Sequence, residues 1–373
     1  MTSPSPFAST AFQTLAPLLG SAPEVAAVFA LGYDIDRFEA EIIEFASATG
    51  IPVTELWELA ADARQGSDPA APVRPGQHVV SRALLVSWCT GNRKRDQRIW
   101  PYSLELGPLR PMSPSDVAKV ERFVRIDSER TEMLWGTVET KLKQAVADIE
   151  AGTGLANPAC IGTIKQAIAL HYARSIEMLE AVERTFSPFV VAQKAAFLSD
   201  HASLDRLYEM KTRDAAGLQT EDARAAFVNA FFSRLEQLYA SGTYFRFRVC
   251  YYFHTVSRLI DHLSLQVLRA PPGSEFLIGD VPVITSNATG DQRGVRNHVP
   301  IGDAATVVMP LSPRITVALD PVEADFTVDA AYVRRLNTWQ VEAARYQVFT
   351  PPWSTSLMAW VTSLRPPTAP AAR

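Results

Sequence analysis

The chain has 373 residues, 47% of them hydrophobic and 20% charged, enough apolar material for one large core or two modest ones in an ordinary globular protein. Its three cysteines, Cys89, Cys160 and Cys250, are odd in number and far apart, which excludes a disulfide framework or a CxxC metal clamp and points to a reducing, cytoplasmic setting. The net charge of −4 is unevenly spread: residues 1–70 hold ten acids against Arg37 and Arg64 alone, so an acidic head precedes a mildly basic body.

The opening MTSPSPFAST lacks the basic and apolar regions of an export signal, and no uncharged apolar run approaches the ~18 residues of a membrane helix. No membrane association is therefore expected. Within the head, Ile35, Phe38, Ile42 and Phe45 recur at helical spacing, and a second helix follows Gly50 and Pro52 with Thr54 as its cap. The string ATGIPVTELWELA has the outline of paired DNA-reading helices, but its acids repel phosphates, so nucleic acid is not expected on residues 1–70. The head reads either as a solvated acidic face or as a segment that docks on the body or on a protein partner. The linker QGSDPAAPVRPG at 65–76 separates this extension (1–70) from a core domain (71–365) and a proline-rich, disordered tail (366–373).

In the core, ALLVSW (83–88) and RIWPYSLEL (98–106) read as two strands of a hairpin joined by the basic loop TGNRKRDQ. Ser113 is expected to cap a short helix. Ser128 is expected to cap a longer one, with Trp135, Val138, Leu142, Ala145 and Ile149 as its apolar stripe and an end near Gly152. One long central helix is predicted from about Ile161 to Phe186, closed by Pro188, then helices over 189–211 and 220–241 with a turn at Gly217. YFRFRVCYYF (244–253) alternates like a strand, yet its apolar period continues at helical spacing through Leu263, which favours a helix. The segments LSLQVL, EFLIG, VPVIT, ATVVMPL and RITVAL then predict short strands, followed by a helix over about 330–344 and a last strand at YQVF. The expected class is α+β: a mostly helical body with a small mixed or antiparallel sheet formed by the N-terminal hairpin and the C-terminal third.

From about Gln77 to Thr350 the chain resembles a bacterial family known as domain of unknown function 4238. The resemblance rests on His78 in QHVVSRALL, Glu139 in TVETKL, Arg174 in HYARS, the element FLIGDVPV with Asp280 and Pro282, the turn Pro310–Pro313, and the helix LNTWQVEAAR. Ser81 stands where the family has proline, and Gly279 and Val281 replace the serine and asparagine that flank its aspartate. The resemblance implies an architecture and candidate positions but no reaction.

Those positions are His78, Glu139, Arg174 and Asp280. Asp280, two residues before Pro282 at a strand end, either caps its own turn or holds a metal or a proton. Glu139 borders a buried stripe and needs a partner, which Arg174 would supply as a bidentate pair. His78 is a ligand, a base or a hydrogen-bonded histidine. If all four converge, acid, base and cation together suit phosphoester hydrolysis, with a divalent metal possible, in a nuclease-like stress or antiphage role. The alternative is a non-catalytic interaction module whose polar cluster is structural. Arg93, Lys94, Arg95 and Arg98, and Arg246 with Arg248 among aromatics, leave nucleic-acid contact by the core open. No HExxH, P-loop, GxSxG or GxGxxG motif is present.

Overall fold

The computed structural model describes residues 76–366 apart from 92, 122, 124–127, 203, 206, 207 and 209–217. The acidic head, the linker before Gly76, the Gly217 turn and the tail from 367 onward lie outside the described residues.

The chain divides into two compact units. The described residues of the first lie mostly in Val182–Thr255 and are helical. Its core is aromatic: Phe186 stacks on Tyr239 with centroids 3.8 Å apart and meets Tyr244 edge-on, while Phe197 packs against Phe231 and Phe232.

The second unit comprises Arg74–Phe123, Glu129–Ala181 and Val256–Arg373, and it contains every described strand. Strands β1 (Gly76–His78) and β4 (Lys119–Glu121) form an antiparallel pair. A four-stranded sheet has the order β3 (Gly107–Pro108), β2 (Trp100–Ser103), β11 (Gln347–Thr350), β6 (Ile278–Gly279). A five-stranded sheet has the order β10 (Ala324–Thr327), β5 (Ser264–Arg269), β9 (Ile315–Asp320), β8 (Thr306–Ser312), β7 (Ile284–Ser286). Only β10 with β5 is parallel there; the other pairs of this sheet are antiparallel. The α+β expectation therefore stands, and the hairpin that joins the C-terminal strands is Trp100–Pro108, not the expected pairing of 83–88 with 98–106.

Three local expectations are corrected. Residues 83–88 are not a strand but a short helix, α1 (Arg82–Leu85), running into a 3-10 turn (Val86–Trp88). The Ser81 hydroxyl accepts from the Ala83 N–H and starts the helix, so a capping serine decided a short apolar run whose periodicity fits either state. Ser113 heads a turn, not a helix: its hydroxyl accepts from Ser115 N–H and its carbonyl from Asp116 N–H before the chain enters β4. The long central helix is two helices. After α2 (Ser128–Glu150), which buries the expected stripe of Trp135, Val138, Leu142, Ala145 and Ile149, α3 runs Pro158–Ala173 and α4 runs Ile176–Ser199 with Pro188 inside it.

The break between α3 and α4 positions the site. Asn157 caps α3 through the Ala159 N–H and Pro158 occupies the first turn. Arg174 leaves helical geometry, and the Ser175 hydroxyl accepts from Met178 N–H to start α4. The remaining helices are α5 (Glu221–Ser241), α6 (Thr243–Ile260), α7 (Ala330–Ala343) and α8 (Thr355–Leu364); α6 is the expected helix at YFRFRVCYYF.

Helix α7 organises the C-terminal half. Val333, Leu336 and Trp339 pack against Leu268, Ile284, Val308 and Ala318 of the five-stranded sheet. Val341 and Ala344 pack with Tyr102, Val348, Met358 and Val361 around the four-stranded sheet. Between these two faces, Asn337 accepts from Leu277 N–H and donates to Glu275 C=O, while Gln340 accepts from Gly279 N–H at 2.8 Å and donates to Pro282 C=O at 2.9 Å. These two amides satisfy the backbone of the FLIGDVPV segment as a neighbouring strand would. Glycine at 279 suits this close approach, because a Cβ would lie 3.0 Å from the Gln340 carbonyl oxygen, tighter than ordinary contact.

Candidate functional site

Three of the four expected residues gather at the α3–α4 break in the second unit. Glu139 projects from α2 and Arg174 from the end of α3, and Arg174 donates through one nitrogen to a Glu139 carboxylate oxygen at 2.9 Å. The contact is a single bond, not the bidentate pair expected. The Arg174 guanidinium, with the residue 1% exposed, lies 4.3 Å over the Trp135 ring, one helical turn before Glu139 on the same face. Burial opposes ionisation of Glu139, but the Arg174 charge and hydrogen bond, with the Ser81 hydroxyl, outweigh it and hold the carboxyl below its usual range. The Glu139 side chain keeps 28% exposure, so the pair reaches solvent through its carboxylate.

His78 ends β1, half-buried. Its Nδ1 is buried with no hydrogen-bond partner. Burial first, then the positive fields of Lys119, Arg174 and Arg82, push its pKa down from 6.5 to about 4, against an upward pull from Glu139. The imidazole is therefore neutral at neutral pH.

His171, on α3 one turn before Arg174, completes the group and was not singled out by sequence reasoning. It is fully buried, its Nδ1 bonds to the Ala167 carbonyl at 2.8 Å, and its Nε2 accepts from Ser81 N–H at 3.0 Å. That pattern fixes the neutral tautomer with the proton on Nδ1. Ser81 occupies the position where the resemblance expects proline, and proline could not donate this bond. Both His171 and Trp135 could have been found from the sequence, as the residues one helical turn from Arg174 and Glu139 on their own helices.

Three buried polar atoms in this group have no hydrogen-bond partner among the described residues: His78 Nδ1, Trp135 Nε1 and Arg174 Nε. Two of them are donors only. The group is thus short of acceptors and rich in cations, since Arg82, Lys119 and Arg174 act on His78 against the single carboxylate of Glu139. Such an arrangement favours an anionic oxygen ligand.

Asp280 belongs to a different set of contacts. It is 2% exposed, and its carboxylate accepts from the backbone N–H groups of Arg345 (2.8 Å), Tyr346 (2.6 Å) and Gln347 (2.9 Å). It does not cap its own turn, as one expectation had it. Instead it clasps the entry to β11 from the end of the neighbouring strand β6, and no hydrogen bond or ion pair joins it to His78, Glu139 or Arg174. Burial pushes its pKa up to about 6 in spite of the three backbone donors. Beside it, Arg345 bonds Glu180 at 3.1 Å and lies 3.6 Å from Glu177, whose carboxylate accepts from Arg296 N–H.

Among the described residues no group of three or more His, Cys, Asp or Glu side chains is arranged to hold a metal ion, and no helix is long and apolar enough to cross a membrane. No curated protein and no solved structure matches the chain. The family model described as "Protein of unknown function (DUF4238)" matches residues 76–352, a stretch that holds His78, Glu139, Arg174, Asp280 and the α7 amides, and the chain belongs to that family.

Proposed function

We propose that the protein is a hydrolase of phosphoesters whose reaction centre is the group of His78, Glu139 and Arg174. The observation that carries the reading is the set of three buried polar atoms without partners, on His78, Trp135 and Arg174, in a net-cationic surround. A phosphoryl oxygen supplies the acceptors that Trp135 and Arg174 lack, and a bound phosphate cancels part of the positive field that depresses His78. His78 then takes a proton from the water whose oxygen attacks phosphorus; the ester P–O bond breaks, and the imidazolium returns that proton to the leaving alkoxide. Arg174 stabilises the charge on the phosphoryl oxygens, and Glu139 positions Arg174. His78 and Glu139 offer two protein ligands at most, so a divalent metal would arrive with the substrate phosphates. Asp280 acts in this reading through the fold.

The test is turnover of phosphomonoesters, phosphodiesters, DNA and RNA, with and without Mg²⁺, by wild type beside His78→Gln. Wild-type turnover that falls about 10²-fold or more in a variant of unchanged melting temperature is the expected result. A folded wild type inert on the whole panel refutes it and leaves the second reading, an interaction module with a structural polar network. That reading is favoured by the complete commitment of Asp280 to backbone donors. The free thiols Cys89 and Cys160 fit the cytoplasmic setting that belongs to the proposal, as does a stress or antiphage role in a bacterium. The acidic segment 1–70 would recruit a protein partner or dock on the body.

A further inference from the structure

A second polar feature of the same unit lies outside that group. A cleft of about 500 Å³ opens between the start of α1, the basic loop and the Ser113 turn, within the usual size range of small-ligand sites. Its polar lining includes Arg82, Arg95 and Arg98, the hydroxyls of Ser113 and Ser115, and Asp116. Three arginines and a single aspartate therefore line it. Internal pairing does not neutralise them. The Arg82 side chain, half-buried, makes no hydrogen bond or ion pair among the described residues. Arg95 lies 3.6 Å from its neighbour Asp96, but its side chain is 76% exposed. Arg98 spends one nitrogen on the carbonyls of Arg95 (3.0 Å) and Gln97 (2.8 Å), which fixes the loop and leaves its second terminal nitrogen available. Asp116 is exposed, and among the described residues its carboxylate meets only the Ser115 hydroxyl, at 3.4 Å.

Like charges gathered around one hollow repel, and an anion between them removes the repulsion. Planar guanidinium forks with flanking hydroxyls match the oxygens of a phosphate, whereas among the described residues no aromatic side chain lines the cleft on which a base could stack. We infer that this cleft binds the phosphate groups of an anionic ligand, reading charge and not base identity. Arg82 also acts electrostatically on His78, so the cleft adjoins the proposed reaction centre and would hold the non-reacting phosphates of its substrate. In that respect the inference extends the hydrolase reading.

Binding is measured in chelator, without turnover, with pyrophosphate, ATP and fluorescein-labelled single-stranded RNA and DNA as the probes. Wild type is compared with Arg82→Gln and Arg95→Gln, and melting curves confirm that each variant is folded. Each substitution is expected to weaken binding about tenfold at low salt. It should also lower the salt dependence of strand binding by about 0.7 in logarithmic slope. Equal binding of ATP and the strands identifies a free nucleotide-like anion as sufficient, and binding of the strands alone identifies the nucleic-acid backbone; either supports the cleft. Failure of every probe to bind wild type, or wild-type affinity in both variants, overturns it. Binding by a protein that hydrolyses nothing removes the hydrolase reading and keeps the cleft. Turnover lost in His78→Gln but unaltered in KM by Arg82→Gln and Arg95→Gln does the reverse.

Discussion

His171 makes the stability of this protein sensitive to acid, and the size of the effect follows from its environment. The ring is fully buried, and in the neutral form both nitrogens are used: Nδ1 donates to Ala167 and Nε2 accepts from Ser81 N–H. Protonating Nε2 would set one N–H against another beside the Arg174 guanidinium. Burial first, then Arg174, accordingly push the pKa from 6.5 down to about 4, with the Ala167 bond and Glu139 pulling the other way. A depressed histidine stabilises the fold fully above the unfolded value and loses that stabilisation as pH falls from 6.5 toward 4. With those two values the loss is about 2 kcal/mol at pH 5 and about 3 kcal/mol at pH 4. Asp280 has the opposite sign, because its raised pKa makes the folded state bind a proton as pH falls through about 6. His78 has the same sign as His171. The wild-type slope therefore mixes three groups, and the informative quantity is wild type minus His171→Gln, in which Asp280 and His78 largely cancel. Urea unfolding of both proteins between pH 7.5 and pH 4.5 should show this difference shrinking by about 2–3 kcal/mol. A difference that stays flat across that range means that His171 is not held neutral, and the account of the α3–α4 break fails with it.

Two further substitutions probe how the C-terminal elements are held. Gln340→Leu strips the buried Gly279 N–H and Pro282 C=O of their partners and should cost about 2–4 kcal/mol in urea unfolding, whereas a loss under about 0.5 kcal/mol would show the α7 amide to be dispensable. Gly294 has φ +77° and faces Glu177, whose carboxylate oxygen would lie 2.6 Å from an added Cβ. Gly294→Ala should therefore destabilise by about 2 kcal/mol in thermal unfolding, and an unchanged melting temperature would contradict the geometry.

Much of the architecture is written locally. The stripe of α2, the helix at YFRFRVCYYF and the strands of RITVAL and ATVVMPL can all be read from spacing and turn chemistry, because periodicity and capping act over a few residues, whereas the motif order from His78 to LNTWQVEAAR is what the family resemblance implies. Where the run is short or the period uniform, local information is degenerate. Residues 83–88 became a helix through one capping hydroxyl, and the 161–186 stripe was cut at Arg174 because Ser175 starts a new helix without interrupting the apolar period.

The candidate site was legible as residues but not as an arrangement. The family resemblance singled out His78, Glu139, Arg174 and Asp280, and the need of Glu139 for a partner pointed to Arg174, but nothing in their spacing says whether His78 or Asp280 joins that pair. Tertiary packing brought Arg174 to Glu139 across 35 positions, set His78 within their field, and placed His171 against Ser81 across 90 positions. The same packing drew Asp280 away to three amides more than 60 positions downstream. The physical reason is the range of the forces: propensity and capping are settled within a turn, whereas the partner of a buried charge is settled by whichever distant groups the closing core leaves beside it.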